Sequence, residues 1–396
     1  MSYLTHFCCE SEQLGRYAIL TQSPTHAKAI AEKIGAEAVS KGDLYHIYTG
    51  NVGRQAVSVI SCGMIAKYHV AAIENCAEAQ AVGVYGTDPT RTGEFAKQHG
   101  LAVYPEAADI WVDGDVDAVC ICTPSGFHAA YALEAIEHGK HVLIEKPMAL
   151  TVSDCDRILR EAKKKHVLVG VVSQLRFSPA VVQVKRAMER GVLGKMACAD
   201  LYMKYHRSQA YYDSAAWRGT WKMDGGGALM NQGIHGVDLL QYLAGPVDSI
   251  YAKAKTQVRK IEVEDTLSAV AEFHSGAIGV IQAATSLYSG FSRRLELCGE
   301  KGTIILEEDK ILLWDVADEP IPPQEQCRGQ EIRGFSDPSR ISCLGHTRQI
   351  ANFTAAVQGR EALLVDGQEG RKVLRIILGA YRSSAENRPI RLTEVD

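Results

Sequence analysis

The sequence predicts an α/β protein in which a doubly wound parallel sheet is followed by an α+β domain with a large, mostly antiparallel sheet. Three observations carry this reading. Between residues 56 and 172, short apolar runs alternate with helical patterns, as in βαβ units that build a parallel sheet. Beyond residue 176 the runs lengthen, alternate in polarity and are joined by longer connections, as antiparallel strands are. The 396 residues exceed one compact core and suggest about two domains. The expected division is 1–54, an extension; 55–175, the parallel-sheet domain; 176–377, the second sheet domain; and 378–396, a returning segment.

Hydrophobic residues make up 46% and charged residues 23% of the chain, the proportions of an ordinary globular protein. A net charge of −4 gives no electrostatic attraction to nucleic acid or to an anionic membrane, so the expected partner is a small molecule. The eleven cysteines lie mostly in apolar runs such as Val119-Cys120-Ile121-Cys122 and show no metal-ligand spacing. They read as small core hydrophobes in a reducing compartment, and no metal is expected. The N-terminus has no charged segment followed by an apolar one, and no apolar run reaches the ~18 residues of a membrane span. The expected location is the cytoplasm.

In the extension, residues 16–20 and 43–48 read as strands. Residues 23–34 read as an amphipathic helix opening at Ser23-Pro24 and stopping at Gly35. A buried strand at 56–60 leads into Ser61-Cys62-Gly63-Met64-Ile65-Ala66 and a helix through Ile73, the order of a dinucleotide fingerprint. Ser61 and Ala66 replace its first and third glycines. Gly63 keeps the position where backbone approaches a pyrophosphate, and the helix start at Met64 and Ile65 offers N–H groups to that anion. The strand at 79–85 ends in Gly86-Thr87-Asp88-Pro89. Asp88 suits the ribose of NAD, although it lies beyond the strand tip. Thr87 and Arg91 suit the 2′-phosphate of NADP, and Asp88 as a plain helix cap is the other reading. NAD is the expected cofactor, with NADP open. The strand at 118–122 ends in Thr123-Pro124-Ser125 and His128, where the nicotinamide half would lie; a capping role for His128 is equally compatible.

The strand at 142–144 runs straight into Glu145-Lys146-Pro147. Proline stiffens the turn, so Lys146 is delivered to a fixed point at a strand's carboxyl end, on the crevice side of such a sheet. Ser153 and Asp156 read as a capping box for a helix to 165. Strands are expected at 167–172, 196–205, 250–256, 266–273, 277–284, 294–298 and 303–306. A long surface excursion is expected over 318–339, helices over 346–358 and 370–384, and a closing strand at 389–392.

A second constellation follows three glycines, Gly225, Gly226 and Gly227, which let backbone come close to something. On the helix behind them Asn231 and His235 share a face, with Asp238 three residues on. An imidazole is a natural proton acceptor for an alcohol near neutral pH. Upstream, Tyr211, Tyr212, Trp217 and Trp221 cluster around Arg218. Such a cluster suits the apolar faces of a sugar, with Arg218 holding an anionic group, and a buried aromatic hinge is the other reading.

Taken together, the turn at 61–66, Thr123-Pro124-Ser125 with His128, Glu145-Lys146-Pro147, Arg176-Phe177 and the glycine run before His235-Gly236-Val237-Asp238 resemble the Gfo/Idh/MocA family of NAD(P)-dependent oxidoreductases. The resemblance runs from residue 56 to the C-terminus. It implies a Rossmann domain, a domain with a large open sheet that packs against another subunit's sheet in a homo-oligomer, Glu145 and Lys146 beside the cofactor, and Lys146 between nicotinamide and substrate. It also implies His235 as acid/base, Asn231 beside it, and Arg176, Trp217 and Arg218 around the substrate. Many members have aspartate where this chain has Asn231, and the form here is more like the nucleotide-sugar and glycoside dehydrogenases than the polyol dehydrogenases. The expected reaction is hydride transfer between nicotinamide and a secondary alcohol or ketone of a sugar. The alternatives are glycoside cleavage through transient oxidation and a non-catalytic dinucleotide sensor.

Overall fold

The computed structural model describes residues 54–322 and 343–396, and ahead of them four short strands, β1 (Cys9–Ser11), β2 (Arg16–Thr21), β3 (Glu37–Lys41) and β4 (Leu44–Tyr48). These pair antiparallel in the order β1-β2-β4-β3. The strands expected at 16–20 and 43–48 are β2 and β4. The helix expected at 23–34 and most of the excursion at 318–339 lie outside the described residues.

The first domain contains β5 (Gln55–Ile60), β6 (Ala79–Tyr85), β7 (Ala102–Val103), β8 (Ala118–Ile121), β9 (His141–Ile144) and β10 (Val169–Val171). They form one parallel sheet in the order β10-β9-β8-β5-β6-β7. Helices cover both faces, which is why Val119, Cys120, Ile121, Val142 and Ile144 are apolar without alternation and fully buried. Strand order reverses between β5 and β8, and a crevice opens there at the carboxyl ends. The helix Val152–Lys165 is capped by Thr151, whose hydroxyl accepts the Asp154 N–H; Ser153, the expected cap, is inside the helix.

The second sheet comprises β11 (Met196–Lys204), β12 (Val247–Lys255), β13 (Thr266–Phe273), β14 (Ile278–Ala284), β15 (Arg294–Gly299), β16 (Gly302–Glu307), β17 (Lys310–Val316) and β18 (Ile390–Arg391). Their order is β17-β16-β15-β11-β14-β13-β12-β18, and only β11 and β14 run parallel. Along β13, Leu267, Ala269, Ala271 and Phe273 point into the core while Ser268, Val270 and Glu272 are exposed, the period of a sheet with one covered face. The chain then returns to the first domain. Ile350 and Phe353, on the helix Leu344–Val357, share a core with Val57, Val59 and Val70, so residues from within the expected 176–377 unit complete the Rossmann core.

Candidate active site

The carboxyl ends of β5, β8 and β9 and the end of the second sheet enclose a crevice of about 1410 Å³, more than the ~300–1,000 Å³ of a site for one small ligand. Ser61, Gly63, Met64, Ile65, Thr87, Asp88, Thr123, Pro124, Ser125 and His128 line one part of it. Ser61 adopts φ +118°, the conformation that the usual first glycine of the fingerprint supplies, and its hydroxyl accepts the Gly63 N–H at 3.2 Å. No side chain caps the helix Met64–Glu74, so its first N–H groups face the crevice unclaimed. A Cβ at Gly63 would meet nothing nearer than Ser61 Oγ at 3.4 Å, so the space in front is open. Thr123 Oγ1 is buried without a hydrogen-bond partner. An uncapped helix start, an open approach and an unmatched hydroxyl fit a dinucleotide. Asp88 accepts the Arg91 N–H at 3.1 Å and so caps the next helix, as its alternative reading has it. His128 is a strap between two strand-end turns. Its ring nitrogens lie 2.7 Å from the Pro147 carbonyl and 2.9 Å from the Thr123 carbonyl, and burial lowers its pKa.

Lys146 reaches across to the second domain, where its Nζ donates to the Asn231 carbonyl at 2.7 Å. Asn231 is held in turn by donating its Nδ2 to Asp224 at 2.7 Å, and Asp224 also accepts the Gly219 N–H. Burial lowers the pKa of Lys146 against the opposing charges of Glu145 and Asp224. His235 lines the same crevice, and burial together with the Lys146 charge pushes its pKa well below the ordinary value. At neutral pH its ring is an unprotonated base beside a cation.

The backbone that presents Asn231 is not α-helical as expected. Residues Ala228–Gly233 form a π-helical turn, and the α-helix begins at Ile234. The glycine run makes room for protein. A Cβ on Gly227 would stand 1.7 Å from the Glu264 carbonyl oxygen, and Gly226, at φ +159°, would set one against the Tyr381 hydroxyl. Buried Glu264 accepts the Gly227 and Leu229 N–H groups, each at 2.8 Å, and the Tyr381 hydroxyl, which itself accepts the Met230 N–H. Burial pushes Glu264 up to about 7.

The remaining wall carries Arg207, Tyr211, Trp217, Arg218, Gln232 and Arg293. Arg218 lies over both Tyr211 and Trp217, 4.5 Å and 4.6 Å from the ring centres, and donates to the Tyr211 hydroxyl. Its Nε has no partner, and it has no carboxylate within ion-pair distance among the described residues. Tyr212 bonds Thr285 in the core, and Trp221 donates to the Glu262 carbonyl away from the crevice.

The profile described as the oxidoreductase family with NAD-binding Rossmann fold matches residues 55–173, and the GFO/IDH/MocA C-terminal domain matches residues 181–305. The structure of the WlbA dehydrogenase from Bordetella pertussis, in complex with NADH and UDP-GlcNAcA, is similar at 32% identity with a TM-score of 0.77, over 85% of this chain and 98% of that one. The chain belongs to the Gfo/Idh/MocA oxidoreductase family. Among other family relatives, the myo-inositol 2-dehydrogenase of Thermotoga maritima is 26% identical over 86% of this chain and 99% of that protein. The D-glucoside 3-dehydrogenase of Escherichia coli is 24% identical over 83% and 95%. Membership makes this an NAD-dependent oxidoreductase and its first domain a Rossmann fold, as the fingerprint suggested.

One expected site residue of the family reading is elsewhere. Arg176 does not line the crevice. It is buried, donates to Asp238 at 2.6 Å and to Glu369 at 2.9 Å, and lies over Tyr242. The arginine and Asp238, expected near the site, thus satisfy each other as a buried ion pair behind it. The sequence missed Asp224, Arg207 and Gln232, although Asp224 directly precedes the glycine run. It also showed no metal-ligand spacing, yet the fold brings His69, Glu145 and His346 together, their ligand-type atoms all within 4.8 Å of one another.

Proposed function

We propose that the enzyme transfers a hydride between NAD and a secondary alcohol or ketone of a nucleotide sugar that carries an anionic group, in preference to a neutral polyol. The carrying observation is Arg218, a guanidinium with no carboxylate within ion-pair distance among the described residues, which shares the Tyr211 ring with Arg207 in an aromatic wall of the crevice. A half-buried guanidinium stacked on rings is well matched by a ligand's carboxylate or phosphate. The size of the crevice supports a second large ligand beside the dinucleotide, and WlbA, similar at 32% identity, was solved with a sugar nucleotide of this kind.

Ser61, Gly63, Met64, Ile65 and Thr123 would hold the cofactor. Bound NAD supplies hydride acceptance from the alcohol carbon, or hydride donation in reverse. The protein does the rest. His235 takes the hydroxyl proton, and the Lys146 ammonium donates a hydrogen bond to the oxygen as negative charge develops on it. Asn231 is a positioning residue in this scheme, because its carbonyl fixes Lys146 and its amide is already engaged by Asp224. Arg218→Ala should raise KM at least ~10-fold for a sugar nucleotide with a carboxylate and leave KM for a neutral sugar within about 2-fold, with kcat little changed. NADH absorbance with paired substrates measures both, and equal losses would make Arg218 structural.

The same proposal includes a homo-oligomer built on the open face of the second sheet. Tyr251, Val270 and Val280 are cross-strand neighbours on that face and are 38%, 52% and 37% exposed, a continuous apolar row of the kind that partners cover. Val280→Lys is expected to lower the mass measured by light scattering to that of a smaller species. A wild-type monomer would exclude the interface. No described helix is long and apolar enough to cross a membrane. Buried free cysteines such as Cys62, Cys120 and Cys155, with NAD as cofactor, support a cytoplasmic site of action.

A further inference from the structure

Beneath Lys146 lies a buried cluster that the mechanism above does not use. His69 on the helix Met64–Glu74, Glu145 at the end of β9 and His346 on the helix Leu344–Val357 are 1%, 5% and 3% exposed. His69 Nε2 is 2.8 Å from Glu145 Oε1, and Glu145 Oε2 accepts the Lys146 backbone N–H at 3.1 Å. The His346 ring meets His69 edge-on at 5.7 Å between centres, and Cys120 and Cys122 face His69 from the β8 side. We propose that His69 is a positioning residue for hydride transfer: it holds one oxygen of Glu145 while the other holds the Lys146 backbone, and the opposite charges cancel so that the Lys146 ammonium is left to Asn231 and the substrate.

The charge argument runs through the neighbours. A carboxylate next to Lys146 and without a counter-charge would draw the ammonium to itself and hold its proton more tightly. Lys146 instead points at the Asn231 carbonyl. Burial opposes a charged His69, but the thiol side of the cluster and Glu145 raise its pKa well above the usual value. Burial raises Cys122 to about 11, which leaves the Glu145 carboxylate, 2.8 Å from Nε2, as the anion in direct contact with His69. Burial likewise opposes the charge on Glu145, and the hydrogen bond and charge of His69 outweigh it, holding the carboxyl at about 2. His346, lowered to about 4 by burial and by the His69 charge, stays neutral. A protonated His69 and an ionised Glu145 would make the cluster one cation and one anion, and the 2.8 Å contact has the length of such a charge-assisted hydrogen bond.

The inference rests on Lys146 being catalytic, so its test has two arms that need no turnover. In cofactor-free protein labelled with 15N-histidine, His69 should show a doubly protonated ring from pH 6 to 8 that becomes neutral in Glu145→Gln. Acylation of Lys146 at pH 8, followed by peptide mass spectrometry, should slow at least ~5-fold in His69→Gln, because the carboxylate left without its cation raises the lysine pKa. In turnover, His69→Gln should lower kcat about 10-fold or more with KM for NAD within about 2-fold, and the Glu145→Gln/His69→Gln double variant should be no worse than the poorer single. A neutral His69 at pH 7, unchanged Lys146 acylation, or a stoichiometric divalent metal in the purified protein whose removal abolishes activity would overturn the proposal. If no sugar is turned over by the wild type, the catalytic reading fails while the spectroscopic and acylation arms still judge the ion pair.

Discussion

Lys146→Ala and His235→Ala should each lower kcat by about 10² or more, the usual worth of a positioned acid/base or charge-stabilising group. The double variant should be little worse than either single, because both residues serve one oxygen in one transition state. The structure gives the reason for expecting a unit: Lys146 bonds the backbone of Asn231, four residues before His235, and its charge depresses the His235 pKa. The pH profile is a second measure. His235 must be unprotonated to accept the hydroxyl proton, and its pKa lies well below 6.5, so activity should fall only as pH drops through that lower value. Lys146→Ala removes a neighbouring positive charge, which favours the protonated ring, so the residual activity should fall off at higher pH than in the wild type. NADH affinity should survive both substitutions. Additive losses, or an acid limb that does not move, would separate the two residues mechanistically.

The legible parts of this chain are those decided by local sequence. β8 and β9 are apolar without alternation because both faces are covered, and β13 alternates because one face is open, so each announces its sheet. The fingerprint turn and the Lys146 strand end are likewise readable from residue types in order, whereas the approach of Lys146 to the segment bearing His235 is implied by the family resemblance. What escaped depends on partners far along the chain. The π-helical turn at Ala228–Gly233 is held by Glu264 and Tyr381, which nothing in the glycine run foretells. Arg176 stands just after the last Rossmann strand, where ligand contacts are common, but Asp238 and Glu369 arrive from two later helices and claim it. His346 comes from a helix, Leu344–Val357, that returns to the first domain about 170 residues after the last Rossmann strand, Val169–Val171. Its meeting with His69 is a product of topology, with no spacing to betray it.

Gly63→Val should weaken NADH binding at least ~100-fold, which is about 2.7 kcal/mol, while leaving the urea unfolding midpoint unchanged. The two halves of this expectation have separate causes. Gly63 has φ −78°, which any residue adopts, and a Cβ there makes only an ordinary contact with Ser61 Oγ at 3.4 Å, so the fold has no objection to the side chain. The valine methyls would instead occupy the open space before the uncapped N-terminus of the helix Met64–Glu74, where a pyrophosphate must come within hydrogen-bond reach of backbone N–H groups. Loss of binding without loss of stability therefore reads the cofactor site directly. Fluorescence titration with NADH measures the first, and urea denaturation of the cofactor-free protein the second. Retained affinity would move the pyrophosphate away from this turn, whereas a large fall in stability would mean that Gly63 serves the fold.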